Sequence, residues 1–147
     1  MCLQCVRPLV QNLVPRQKHR MHRMLIVDDE EAICFSMSEY FTMHGYQVHC
    51  AQDRDEAEGF LASNGYSVLI EDLNLGGVNK AEGLDIVEYA RKMHPDTRII
   101  ILTACGSSEM ESEAKRRGAH AFLCKPKPLS DVAQVIYGLL GTNANAI

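Results

Sequence analysis

Four apolar runs of three or four residues recur along the chain, each too short for a buried helix and each ending in a chemically useful side chain. Leu25-Ile26-Val27 runs into Asp28-Asp29, Val68-Leu69-Ile70 into Glu71-Asp72, Ile99-Ile100-Ile101-Leu102 into Thr103, and Ala121-Phe122-Leu123-Cys124 into Lys125-Pro126. Continuous apolar runs suit parallel strands covered on both faces, and α/β proteins do their chemistry at the carboxyl ends of such strands. If Asp28, Asp29 and Asp72 converge within about 5 Å, each pair repels by roughly 3 kcal/mol at an effective dielectric near 20. Such a cluster asks for a cation, and the Thr103 hydroxyl and Lys125 ammonium would complete an oxyanion site.

Helical stretches separate the runs. The pattern predicts β1 at Met24–Val27, then α1 from about Glu31 to Met43 with Ile33, Met37, Tyr40 and Phe41 on one stripe and Gly45 as its stop. A short β2 follows at Gln47–Ala51, and α2 starts at Asp53, with Glu56 at capping-box spacing, and stops near Gly65. Strand β3 is expected at Ser67–Asp72, a loop at Asn74–Glu82 broken by Gly76-Gly77, and α3 from about Leu84 to Met93. Strand β4 (Arg98–Thr103), α4 (about Ser108 to Arg117, stopped by Gly118), β5 (Ala121–Cys124) and α5 (about Ser130 to Leu140) complete five βα units. Five such units imply a doubly wound, five-stranded parallel sheet.

A chain of 147 residues makes one domain able to bury a core without disulfides. No apolar run approaches the ~18 residues needed to span a bilayer, so no membrane role is expected. Six cysteines scattered through strand and helix patterns read as buried thiols of a reduced, cytoplasmic protein. Residues 1–23 hold five Lys/Arg and no acid, leaving ten basic against nineteen acidic residues in 24–147. That acidic body is a poor nucleic-acid binder on charge alone. Residues 1–23 lack periodicity, contain Pro8 and Pro15, and read as a basic, disordered extension. Their Cys2, Cys5, His19 and His22 skirt a zinc-finger spacing, but the histidines are too close together and Pro15 interrupts the expected helix.

Taken together, LIVDDEE, VLIEDLN, IILTA and FLCKP closely resemble the receiver domain of two-component response regulators, over about Met24 to Leu140. The resemblance implies a flavodoxin-like fold with strand order 2-1-3-4-5, a receiver at 24–141 and a short tail at 142–147. It implies that Asp72 accepts a phosphoryl group from a sensor histidine kinase or histidine phosphotransfer protein. Mg²⁺ (or Mn²⁺) would be bound by Asp29, by Asp28 directly or through water, by Asp72 and by the Asn74 backbone carbonyl. Thr103 and Lys125 would contact phosphoryl oxygens, Phe122 matches the aromatic switch position, and Glu30 and Ala104 lie beside the site. The protein would be a phosphoacceptor that promotes its own phosphotransfer and dephosphorylation, not a dedicated enzyme. Its charge state would be read by a downstream protein on the α4–β5–α5 face or by a phosphorylation-dependent homodimer.

The chain departs from the family pattern in four places. Gly76 stands where Pro is usual, the best glycine match is Gly83, eleven residues after Asp72, Lys127 replaces a large apolar residue, and Glu71 is unusual beside the acceptor. The loop after β3 is therefore expected to be about three residues long in excess and mobile without Mg²⁺, and Glu71 to point to a helix-covered face where it needs a partner. Because few residues follow α5, no DNA-binding output domain is expected. A receiver excised from a longer multidomain signalling protein, and a phosphorylation-independent protein-interaction module, are the alternatives.

Overall fold

Each short run pairs with its neighbours in one parallel sheet. The computed structural model describes residues 21–75, 80–104 and 106–141. Element order is β1 (Arg23–Val27), α1 (Glu31–Met43), β2 (Gln47–Ala51), α2 (Arg54–Ser63), β3 (Val68–Glu71), α3 (Lys80–Met93), β4 (Arg98–Thr103), α4 (Ser108–Arg117), β5 (Ala121–Cys124) and α5 (Leu129–Leu140). All strand pairs are parallel, in the order β2-β1-β3-β4-β5. This is the flavodoxin-like α/β architecture expected from the alternation of strands and helices.

The two-residue period of the strands sorts the core into two layers. Met24, Ile26, Val68, Ile70, Ile100 and Leu102 face α1 and α5, where Met37, Phe41, Val132 and Ile136 cover them. Leu25, Val27, Leu69, Ile99 and Ile101 face the other way, against Ala57 and Leu61 of α2, Ile86, Val87 and Ala90 of α3, and Ala114 of α4. On the outside of this second layer, Asp85 of α3 pairs with Arg54 of α2 at 3.0 Å and with Arg117 of α4 at 3.3 Å. Among the described residues no helix is long and apolar enough to cross a membrane.

Helix ends follow the local chemistry. Gly45 takes φ +87° after α1, and its N–H donates to the Thr42 carbonyl while that of Tyr46 donates to Phe41, so two of the orphan carbonyls are satisfied. Asp53 caps α2 by accepting from the Glu56 N–H at 2.9 Å, and the Glu56 carboxylate accepts from the Gln52 N–H, one residue before the cap.

Three expectations are corrected. Helix α3 begins at Lys80, four residues earlier than the sequence suggests. Gly83, which precedes the expected helix start at Leu84, therefore lies inside the helix, where a Cβ would come within 3.0 Å of the Leu73 backbone. The close approach of helix to strand end explains a residue that otherwise weakens a helix. The ordered fold also starts before Met24: Arg23 opens β1, and the His22 ring bonds the Ser67 hydroxyl at 2.9 Å. Finally, the thiols are not uniformly buried, since Cys34 is buried, Cys50 half-buried and Cys124 exposed. Residues 1–20, with Cys2, Cys5 and His19, the glycine pair within 76–79, Cys105 and the tail at 142–147 lie outside the described residues.

His120, immediately before β5, should make the stability of the fold depend on pH. Its Nδ1 accepts the Ile99 N–H at 3.0 Å, which requires that nitrogen to be unprotonated. Burial, and then the charges of Arg98 and Arg91, push its pKa below the usual histidine range. The unfolded chain thus binds more protons than the folded one as pH falls below about 6.5, and stability drops. Urea unfolding at about pH 7.5 and 5.5 should show this loss, and His120→Asn, which keeps an acceptor without the titration, should lose less.

Candidate functional site

Strand register brings the acids together. Val27 pairs with Glu71, so the next residues, Asp28 and Asp72, leave the sheet side by side, and the Asp72 N–H donates to the Val27 carbonyl at 2.9 Å. Asp28, Asp29 and Asp72 each offer a carboxylate oxygen, and these atoms lie within 4.8 Å of one another. Asp28 and Asp72 are buried while Asp29 is exposed, leaving the cluster open on one side.

Lys125 reaches this cluster from the far end of the sheet. Its N–H donates to the Thr103 carbonyl at 2.8 Å, and its ammonium donates to Asp28 Oδ2 at 2.7 Å and to Asp72 Oδ2 at 2.9 Å. Burial opposes its charge, but the hydrogen bonds to the two carboxylates outweigh burial and hold its pKa above the usual lysine value. The other carboxylate oxygens are satisfied locally, Asp28 Oδ1 by the Glu30 N–H at 2.9 Å and Asp72 Oδ1 by the Asn74 N–H at 3.0 Å. Glu30 itself is the N-cap residue of α1, beside the site as expected. Ala104 follows the strand end and is exposed.

Thr103 is fully buried, and its hydroxyl accepts from the Asn74 side-chain amide at 3.3 Å. Phe122 is half-buried against the layer formed by α2, α3 and α4, with its ring edge packed on Gly106 so closely that a side chain there would have to displace the ring. The sequence reading missed the anchors of the loop after β3. Leu73 and Leu75 are both buried, which continues the alternation of the strand past Asp72 and could have been read from it. With Asn74 tied on both sides, the start of this loop is fixed rather than unanchored.

The set of donors is all oxygen. Three carboxylates within reach of one ion, with an open side for water, fit a hard divalent cation such as Mg²⁺.

Glu71 points away from Asp72, as strand alternation requires, into the layer beneath α3. It is fully buried, and neither carboxyl oxygen has a partner among the described residues. Burial, and then the charge of Asp72, push its pKa well above the usual carboxylate range, so the fold holds it toward its neutral form. Replacing an unsatisfied buried group with an apolar one of similar shape removes a desolvation cost of about 1–3 kcal/mol. Glu71→Met should therefore raise stability by about that amount in Mg²⁺-free urea unfolding. A loss of stability would mean that the carboxyl has a partner after all.

The response regulator receiver domain matches residues 24–137, and the chain belongs to that family. Sporulation initiation phosphotransferase F of Bacillus subtilis is 26% identical over 123 residues, covering 84% of this chain and 97% of that protein. The nitrogen assimilation regulatory protein NtrX of Azorhizobium caulinodans is 30% identical over 105 residues, covering 71% of this chain but only 23% of that longer protein. Among solved structures, a response regulator from Burkholderia pseudomallei with a phosphorylated aspartic acid, calcium ion and citrate superposes with a TM-score of 0.73. It is 26% identical, and the match covers 78% of this chain and 66% of the other.

Proposed function

We propose that Asp72 is the phosphoacceptor of a response regulator receiver that takes its phosphoryl group from a phosphohistidine on a sensor kinase or phosphotransfer protein. The observation that carries this reading is the Lys125 ammonium held between Asp28 and Asp72 at the point where three carboxylates converge. In the transfer, a carboxylate oxygen of Asp72 bonds to phosphorus, the phosphorus–nitrogen bond breaks, and the departing imidazole regains a proton. Asp28, Asp29, Asp72 and the Asn74 carbonyl would hold Mg²⁺ or Mn²⁺. When bound, the ion supplies positive charge that offsets repulsion between the phosphoryl oxygens and the carboxylates.

The remaining roles belong to the chain. Lys125 already donates to Asp72 and would follow one phosphoryl oxygen. The Thr103 hydroxyl would turn from Asn74 to donate to another. That movement changes the end of β4, next to Gly106 and the Phe122 ring, and so would pass the charge state to the α4–β5–α5 surface. A downstream protein, or a second phosphorylated copy of the chain, would read that surface.

Incubation with acetyl phosphate and Mg²⁺ should add one acid-labile phosphoryl group, seen by intact mass, and Asp72→Asn should abolish it. Undiminished labelling of that variant would assign the acceptor elsewhere. Calorimetry should show Asp29→Ala weakening Mg²⁺ binding by more than tenfold and Glu30→Ala by much less, since Glu30 meets the cluster through its backbone. Equal losses would mean that the metal is misplaced.

A further inference from the structure

Beneath the acid cluster, on the α1 side of the sheet, two cysteines meet. Cys34 lies in the first turn of α1, is buried, and donates its thiol to the backbone carbonyl of Asp28 at 3.3 Å. Cys50 lies on β2, opposite Ile26 of β1, and its sulfur is 3.6 Å from the Cys34 carbonyl. Because β2 is an edge strand, Cys50 is half-buried and open to small solutes, whereas Cys34 is shielded. A reachable thiol backed by a shielded one is the arrangement of an attacking and a resolving cysteine.

We propose that Cys34 and Cys50 form a dithiol–disulfide couple, oxidised by hydroperoxides such as hydrogen peroxide, that reports redox state to the acid cluster. The neighbouring Cys34 and Ser38 side chains lower the Cys50 pKa below the usual cysteine value, against the effect of burial. The Cys50 sulfur attacks one peroxide oxygen, forming an S–O bond and breaking the O–O bond, and the departing hydroxide leaves as water with the thiol proton. Cys34 then attacks the Cys50 sulfur, forming the S–S bond and breaking the S–O bond, and a second water leaves with the Cys34 proton. Two thiols lose two electrons and one peroxide becomes two waters.

The consequence follows from the hydrogen bond that is lost. Cys34 without its proton cannot donate to the Asp28 carbonyl, and the new bond ties α1 to β2 directly behind Asp28 and Asp29. Oxidation should therefore loosen the metal site. This part rests on the reading of the acid cluster as a Mg²⁺ site.

The test uses the full 147-residue chain. After brief treatment with hydrogen peroxide, quenching with catalase and alkylation under denaturing, non-reducing conditions, peptide mapping should find a linked Cys34–Cys50 pair, reversed by dithiothreitol. Cys50→Ser should leave Cys34 free to be alkylated. Calorimetry should show Mg²⁺ binding about tenfold weaker in the oxidised protein, in line with the loss of an outer hydrogen bond at a metal site. Alkylation of both cysteines after treatment, or linkage of either to Cys105 or Cys124 instead, overturns the couple. Unchanged Mg²⁺ affinity in the linked protein overturns its effect on the site. A reduced protein that binds no Mg²⁺ overturns that effect together with the metal reading, and the peptide map still decides the disulfide.

Discussion

The ion pairs of Lys125 govern the rest of this sheet edge. The residue sits past β5, at one side of the sheet, yet its ammonium bonds carboxylates at the ends of β1 and β3, and so spans the whole of β4. Its side chain is only 17% exposed, and a charge so far from water is tolerated because both partners are charged and at hydrogen-bond distance. Three carboxylates and one ammonium leave two negative charges in a shared pocket. A divalent cation would balance that remainder.

What surrounds the pocket shows where stability is given up. Glu71 is buried without a hydrogen-bond partner, and Gly83 interrupts a helix beside it so that α3 can approach the end of β3. Each feature is unfavourable taken alone. Both lie at the end of β3, on the side covered by α3, whereas the rest of that layer and the opposite layer are apolar packing. Departures from good packing that gather around one strand end are what a functional site leaves in a fold.

The strands and the five polar groups at their ends were legible in the sequence as short apolar runs ending in acids, hydroxyl and lysine, whereas the strand order followed only from the family resemblance of those motifs. Local chemistry also carried α1 and α2, whose stops and caps at Gly45 and Asp53 formed as their residue types require. The start of α3 was not legible, since the need for a glycine at Gly83 shows only once the Leu73 backbone is seen to occupy the space of its missing side chain. Nor were the Asn74–Thr103 bond, the packing of Phe122 on Gly106, or the meeting of Cys34 with Asp28 and Cys50. Each is a contact between side chains or loops whose position depends on the finished sheet, and no periodicity encodes it.

The contact of Cys34 with Asp28 shows how the helix layer reaches the chemistry. The Glu30 carbonyl accepts the N–H groups of both Ile33 and Cys34 at 3.1 Å, so the first turn of α1 closes immediately after the acid pair. Cys34 then bonds back to the Asp28 carbonyl, and the Asp28 N–H bonds across to Ala51 at the end of β2. Asp28 is thereby held through its backbone on two sides and through its carboxylate on a third. A carboxylate fixed in this way would start close to the geometry that the proposed ion needs, with little ordering left to be done. The same fixation means that any change between α1 and β2 is felt at Asp28 first, because that residue has no slack through which to absorb it.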